Sequence, residues 1–273
     1  MLDIEDMSDT KEHARRLPAG RKSDLATYVA EAGQVTVAEL AERFDVSIDT
    51  VRRDLDQLDR EGVLVRTHGG AVSIDGGPRT DRGLDVRLRM QATEKDKIAK
   101  VAVGLVEDGS VIMLNAGTTT LAVARALRNH RELTIATNNL RIPGEISPKV
   151  FRDLYVFGGA VRTITQATTG PVAFTMTPGG AEVDIRCDLV LIAVGAVSES
   201  GYSTSNLGDA AMMSEMMQKG TRTAILADST KFGRQLFAQV GTLDSADYLI
   251  TDRAPSASLQ AALDQAGVTV LTP

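Results

Sequence analysis

Residues 35–72 read VTVAELAERFDVSIDTVRRDLDQLDREGVLVRTHGGAV, and their apolar spacing decides the fold of the amino-terminal part. Val37, Leu40, Ala41 and Phe44 recur at the interval of one helix face, and Leu25, Tyr28 and Val29 do the same just upstream. Asp45-Val46 then makes a short turn, and Ser47 is a good N-cap for a third helix carrying Ile48, Val51, Leu55 and Leu58 on one side. Gly62 is expected to stop that helix, and LVRTHGGAV to form a β-hairpin turning near His68-Gly69-Gly70. Helix, helix, short turn, helix and β-wing make a winged helix-turn-helix.

At 100° per residue, Val51, Leu55 and Leu58 fall within about 60° of one another, with Asp49, Arg53 and Arg60 opposite and Thr50 and Arg52 on the flanks. The first two turns therefore present Asp49, Thr50, Arg52 and Arg53 where a recognition helix meets the major groove. Arginine suits that task because its planar fork bonds guanine O6 and N7 together, or clasps a phosphate. Ser47 and Thr50 add hydroxyls near the helix start. The acids stand at pairing intervals: Asp49 before Arg52 and Arg53, Asp56 between Arg52 and Arg60. Such exposed pairs contribute only about 0.2–0.5 kcal/mol each, so they orient the guanidinium groups and weaken binding to arbitrary sequence without withdrawing them from DNA.

The chain has 273 residues, a net charge of −6 and a mean hydropathy of −0.05, the profile of a globular protein with two domains. The negative balance argues against indiscriminate coating of nucleic acid or anionic membrane. Residues 15–72 hold nine basic and ten acidic side chains, so any basic face is local. No apolar run approaches the roughly 20 residues of a membrane span. The start carries no secretory h-region and Cys187 stands alone, as expected in a reducing cytoplasm. Cys187 reads as a small buried hydrophobe. The three histidines show no metal-ligand spacing, and neither a metal site nor a cofactor is expected.

Residues 1–16 read as a disordered tail, 17–74 as the winged helix-turn-helix, 75–92 as a Gly- and Pro-bearing linker, and 93–273 as an α/β domain. In the last, strand candidates at 111–114, 133–137, 154–158, 189–195, 223–228, 247–251 and 268–271 alternate with helices, which indicates a largely parallel sheet covered on both sides. The most informative stretch is VIMLNAGTTTLAVARAL: a strand, then Asn115, Gly117, Thr118, Thr119 and Thr120, then a helix. Glycine admits a ligand to the backbone, the helix start offers free N–H groups, and the hydroxyls add donors for an anion. It is neither a P-loop nor a dinucleotide fingerprint, and N-capping by Thr118 would account for it as well. Asn138, Gly158, Gly159 and Lys231 follow later strands and could complete a crevice at the carboxyl edge of the sheet.

The amino-terminal stretch, with VS, T, RRDL and R-HGGA at this spacing, resembles the DNA-binding domain of the DeoR-type bacterial repressors. EKDKIAKVAVGLVEDGSVIMLNAGTTT, ATNNL, VFGGAV, GYST and LADSTKFG resemble that family's sensor domain, which is similar in fold to ribose-5-phosphate isomerase, glucosamine-6-phosphate deaminase and the CoA-transferases. The resemblance covers about residues 17–252. It implies a DNA-reading role for the helix bearing Thr50, Arg52 and Arg53 and for the wing around Arg66 and His68. It also implies a phosphorylated sugar as effector, with the GTTT turn as its phosphate cradle. The expected partners are operator DNA, the effector, and further copies in a homodimer or homotetramer. Two departures stand out: Asn115 replaces a usual aspartate, and LGDAAMMSEMMQKG offers Asp209 for a usual glutamate but no base at Met213 or Ser214. The methionines of that helix read as core or dimer packing.

Two other functions compete with a sugar-responsive repressor. A sugar-phosphate isomerase or deaminase would need an acid/base group beside the sugar, for which Asp184, Asp188, Glu199 and Asp209 are the candidates. A winged helix used only for protein contacts would show no salt-sensitive affinity for DNA.

Overall fold

The computed structural model describes residues 18–60, 63–67, 69–73, 84–175, 182–183 and 185–273. The expected disordered tail, the first half of the linker, the stop at Gly62, His68 and Asp184 lie outside these residues. The chain divides into two compact units, Met1–Met90 and Gln91–Pro273.

In the first unit α1 (Pro18–Ala32), β1 (Gln34–Thr36), α2 (Val37–Arg43) and α3 (Ile48–Arg60) precede the wing strands β2 (Leu64–Arg66) and β3 (Gly70–Ser73). Leu25, Val29, Leu40, Val51, Leu55, Leu58 and Leu64 meet in one buried cluster. Each fully buried Leu or Val contributes about 1.5–3 kcal/mol. Thr36 opens α2 with a reciprocal capping box: its hydroxyl accepts from the Glu39 N–H while the Glu39 carboxylate accepts from the Thr36 N–H. Those bonds hold the Glu39 carboxyl below its usual pKa. The α2 end closes on Asp45 in the left-handed region (φ 49°), with Val46 N donating to Ala41 O and Asp45 N to Glu42 O. That bond pair is a Schellman closure and sets the sharp turn into α3.

The wing holds three strands, not the hairpin alone, in the order β1-β3-β2, all antiparallel. A Cβ on Gly70 would lie 1.9 Å from the Val35 carbonyl oxygen, whereas one on Gly69 would meet nothing. The second glycine of HGGA therefore lets β3 close on β1. A short helix, α4 (Leu84–Arg89), occupies part of the expected linker, with Leu84 buried and Arg89 Nη1 donating to the Arg66 carbonyl oxygen at 3.3 Å.

The second unit is built on a seven-stranded, wholly parallel sheet. It comprises β4 (Val111–Leu114), β5 (Leu133–Thr137), β6 (Phe151–Val156), β11 (Cys187–Ala193), β14 (Gly220–Leu226), β16 (Tyr248–Ile250) and β17 (Thr269–Leu271), in the order β17-β16-β14-β11-β4-β5-β6. Helices α5 (Ala92–Ala102), α6 (Thr118–Ala126), α7 (Ile142–Glu145), α8 (Leu207–Gln218) and α9 (Ala257–Gln265) accompany it. Met212, Met213, Met216 and Met217 of α8 join Met113, Val190, Ile192, Ile225 and Leu249 in one buried core, so the methionine cluster is core packing. Cys187 is buried in the same core, and desolvation pushes its thiol up to about 11, which suppresses the reactive thiolate. Short antiparallel strands not foreseen from the sequence decorate the sheet: the hairpin β7 (Ala160–Arg162) and β8 (Ala167–Thr169), the pair β9 (Phe174–Thr175) and β10 (Glu182–Val183), and β12 (Ala196–Ser198) with β13 (Gly201–Thr204) and β15 (Ala238–Gly241). No helix among the described residues is long and apolar enough to cross a membrane.

The strand order reverses direction between β4 and β11. Chain segments leaving these two strands diverge to opposite sides, which opens a crevice at their carboxyl ends.

Candidate functional site

On α3 the N-cap forms as expected. Ser47 Oγ accepts from Thr50 N at 3.2 Å and shares a 2.9 Å hydrogen bond with Thr50 Oγ1, so both hydroxyls stand at the helix start. Arg52 and Arg53 are exposed. Arg52 Nη1 lies 3.4 Å from Asp49 Oδ1, an open pair with more than half of each side chain exposed. Arg53 has no ion-pair partner among the described residues.

Three expected pairings are corrected. Asp49 meets Arg52 and not Arg53, and Asp56 meets neither Arg52 nor Arg60 as a side-chain partner. Asp56 instead takes the Arg66 guanidinium, Asp59 Oδ1 accepts the Arg66 N–H at 2.9 Å, and Arg60 Nε donates to the Asp56 carbonyl. The lower half of α3 thus anchors the wing, because Arg66 on β2 packs beside it and reaches the nearest carboxylate. Arg66 is thus a strut between α3, β2 and α4. The buried Asp54 of RRDL was missed from sequence: its carboxylate holds Arg21 Nε of α1 at 2.8 Å.

The effector candidates all reach the carboxyl edge of the sheet except Asp209, which lies on the first turn of α8. Asn115 follows β4, is 1 % exposed, and spends its amide on β11: Oδ1 accepts from Ala193 N at 2.8 Å and Nδ2 donates to Ala193 O at 2.9 Å. The backbone ladder ends at Asn115 N donating to Leu191 O, and the side chain adds the next rung. An aspartate could not donate that second bond. Asn115 is therefore a splice across the switch point, its amide taken up by Ala193.

Gly117 is the N-cap of α6 and offers no side-chain cap; a Cβ there would sit 2.6 Å from Ala193 Cβ. Capping by Thr118 is thus not how α6 starts. Thr120 turns inward, its hydroxyl donating to Asn115 O and Gly117 O at 2.7 and 3.0 Å, and so leaves the cradle. Thr118 and Thr119 hydroxyls have no protein partner among the described residues. With the N–H groups of the first turn, they are the polar groups that the GTTT turn leaves without a protein partner among the described residues.

From β5, Thr137 Oγ1 donates to Leu114 O, and Asn139 Nδ2 donates to Gly117 O at 3.3 Å, which ties this loop to the GTTT turn. Asn138 Nδ2 donates to Thr168 O at 2.8 Å and lies 3.3 Å from Met212 Sδ. Gly158 and Gly159 root the β7–β8 hairpin after β6; Gly159 has φ 131° and backs onto the Thr169 carbonyl so closely that a Cβ would fall 2.3 Å away. Asp209 is held by Arg162 of that hairpin at 2.6 Å, a residue 47 positions away that no local pattern picks out. Lys231 ends a 3-10 turn after β14 that is capped by Asp228.

The acid/base candidates of the enzyme alternative are scattered. Asp188 Oδ2 accepts from Val111 N at the amino edge of the sheet, Glu199 lies exposed in the β12–β13 turn, and Asp209 is paired with Arg162.

Comparison with known proteins matches the DeoR-like helix-turn-helix domain to residues 21–76 and the DeoR C terminal sensor domain to residues 90–253. The chain is 32% identical to the HTH-type transcriptional repressor CsqR of Escherichia coli K12 over 93% of its own length and 95% of that protein's. It is 30% identical to the repressor GlcR of Bacillus subtilis over 90% and 93%, and 31% identical to the regulator GlpR of Haloferax volcanii over 93% and 98%. Among solved structures, a ribose 5-phosphate isomerase from Plasmodium falciparum aligns over 50% of this chain and 52% of its own at 12% identity, with a TM-score of 0.36, a likeness too slight to weigh.

Proposed function

Since the chain belongs to the DeoR family of DNA-binding transcriptional repressors, we propose that its second unit senses a phosphorylated sugar and thereby sets the operator affinity of the first. The start of α6 carries this reading: uncapped N–H groups and the Thr118 and Thr119 hydroxyls stand together at the sheet's switch point, on a glycine that lets the turn close against Ala193. A helix start with its positive dipole end favours a phosphate oxyanion. Asn138 and Asp209 then face the sugar, and Lys231 supplies a further positive charge on the same edge.

On the first unit, Arg52 and Arg53 read the operator, with Ser47, Asp49 and Thr50 beside them. Wing residues Arg66 and His68 contact phosphate. Paired half-sites require at least a homodimer. The effector acts by binding the two DNA-affinity states unequally, since equal affinity would shift nothing.

A thermal-shift screen of the full chain against aldose and ketose phosphates tests the sensor role. A ligand at about 100 times its dissociation constant stabilises by about 2.7 kcal/mol. A panel in which no phosphorylated sugar raises the melting temperature contradicts it, and turnover of any panel member would restore the enzyme alternative.

A further inference from the structure

Two buried polar atoms beside α8 have no protein partner among the described residues: Asn138 Oδ1 and Thr169 Oγ1. Asn138 is 6 % exposed. Both side chains abut one face of α8. Asn138 Nδ2 touches Met212 Sδ, and the Thr169 methyl lies where a Cβ on Gly208 would approach to 2.7 Å, with Gly208 and Met212 one turn apart. The two are also joined through Thr168, whose N–H donates to Asn138 O at 3.0 Å and whose carbonyl accepts Asn138 Nδ2 at 2.8 Å. A buried polar atom without a partner costs about 1–3 kcal/mol, so two such atoms along one face of α8, linked through Thr168, point to a ligand group.

We propose that Asn138 Oδ1 and Thr169 Oγ1 form a hydroxyl-reading subsite that takes the end of the effector remote from its phosphate. This rests on the effector reading given above. Asn138 Oδ1 can only accept, so its partner must carry a donor; a phosphate dianion carries none. A cationic group is not called for either, because Arg162 already neutralises Asp209 on the adjoining turn. The partner is a neutral hydroxyl, which donates to Asn138 Oδ1 and accepts from Thr169 Oγ1. Both atoms are covered in this form, so a ligand reaches them only after a local opening beside α8.

Thermal shift of the full chain, titrated with inorganic phosphate and with a panel of neutral and amino sugar phosphates, tests this in wild type, Thr169→Val, Thr169→Ser and Asn138→Leu. The unliganded Thr169→Val protein should be at least as stable as wild type, because the hydroxyl it lacks is unpaired. Its apparent affinity for the preferred neutral sugar phosphate should fall about tenfold, while its response to inorganic phosphate is unchanged and Thr169→Ser restores binding. Equal sugar-phosphate affinity in wild type, Thr169→Val and Asn138→Leu overturns the subsite and leaves the effector reading standing. A preference for amino sugar phosphates that Thr169→Val leaves intact also overturns it. No response of wild type to any phosphorylated ligand removes the effector reading and the subsite with it.

Discussion

Asp54 on α3 and Arg21 on α1 form a 2.8 Å ion pair whose carboxylate end is buried. The acid in RRDL is thus structural: it locks α1 against α3 while the arginines before it point outward. Removing one partner of a buried pair costs more than the pair is worth, because the other is left unpaired. Arg21→Ala should therefore destabilise the first unit by about 2 kcal/mol, and Asp54→Asn by less, in chemical denaturation. Equal stability of Arg21→Ala and wild type would show that the pair is idle.

The two glycines of HGGA should respond oppositely to the same change. Gly70→Ala forces a methyl onto the Val35 carbonyl and should cost about 1–3 kcal/mol, with loss of amide protection along β1 and β3. Gly69→Ala meets open space and should leave both unchanged.

Asn115→Asp tests the splice across the switch point. The carboxylate cannot donate to Ala193 O, and burial raises its pKa. The variant should be about 1–3 kcal/mol less stable at neutral pH. The raised native value makes the deficit shrink as pH falls, since the protonated acid regains a donor. A deficit that does not depend on pH would rule out this bond as the cause.

Glu145 carries a second pH signal. Hydrogen bonds from Arg125 and then Arg141 hold its carboxyl below the usual 4.5, so its contribution is present above that value and is lost as pH falls through the depressed one. The group is partly exposed, which limits the effect to about 0.5 kcal/mol. Glu145→Gln should melt slightly lower at pH 7 and converge on wild type near pH 3; parallel profiles would exclude the link.

Most of the architecture was legible because period 3.6 and alternating apolar strands are local signals. The seven parallel strands lie within three residues of where spacing put them, and the N-cap at Ser47 and the turn at Asp45 lie where expected. Asp54 is legible too: it falls about 40° from Leu58 on the helical wheel, on the buried side. Asp56 and Arg66, or Arg162 and Asp209, could not be paired in advance, because their partners come from other elements and only the tertiary fold brings them near. The inward turn of Thr120 and the cross-sheet amide of Asn115 were hidden for the same reason. Their residue types suit a ligand equally well, and the register of β4 against β11 decides the outcome.

The proposed reading of the operator rests most directly on the two arginines of α3. Duplexes selected from a random pool by the full chain, then titrated over a salt series, measure what Arg52→Ala and Arg53→Ala remove. Each folded variant should lose about 1–3 kcal/mol of affinity if its guanidinium reads a base, or about 0.9 of log–log salt slope if it holds a phosphate. Wild-type affinity and slope in both variants, with circular dichroism unchanged, would contradict the assignment of α3 as the reading helix.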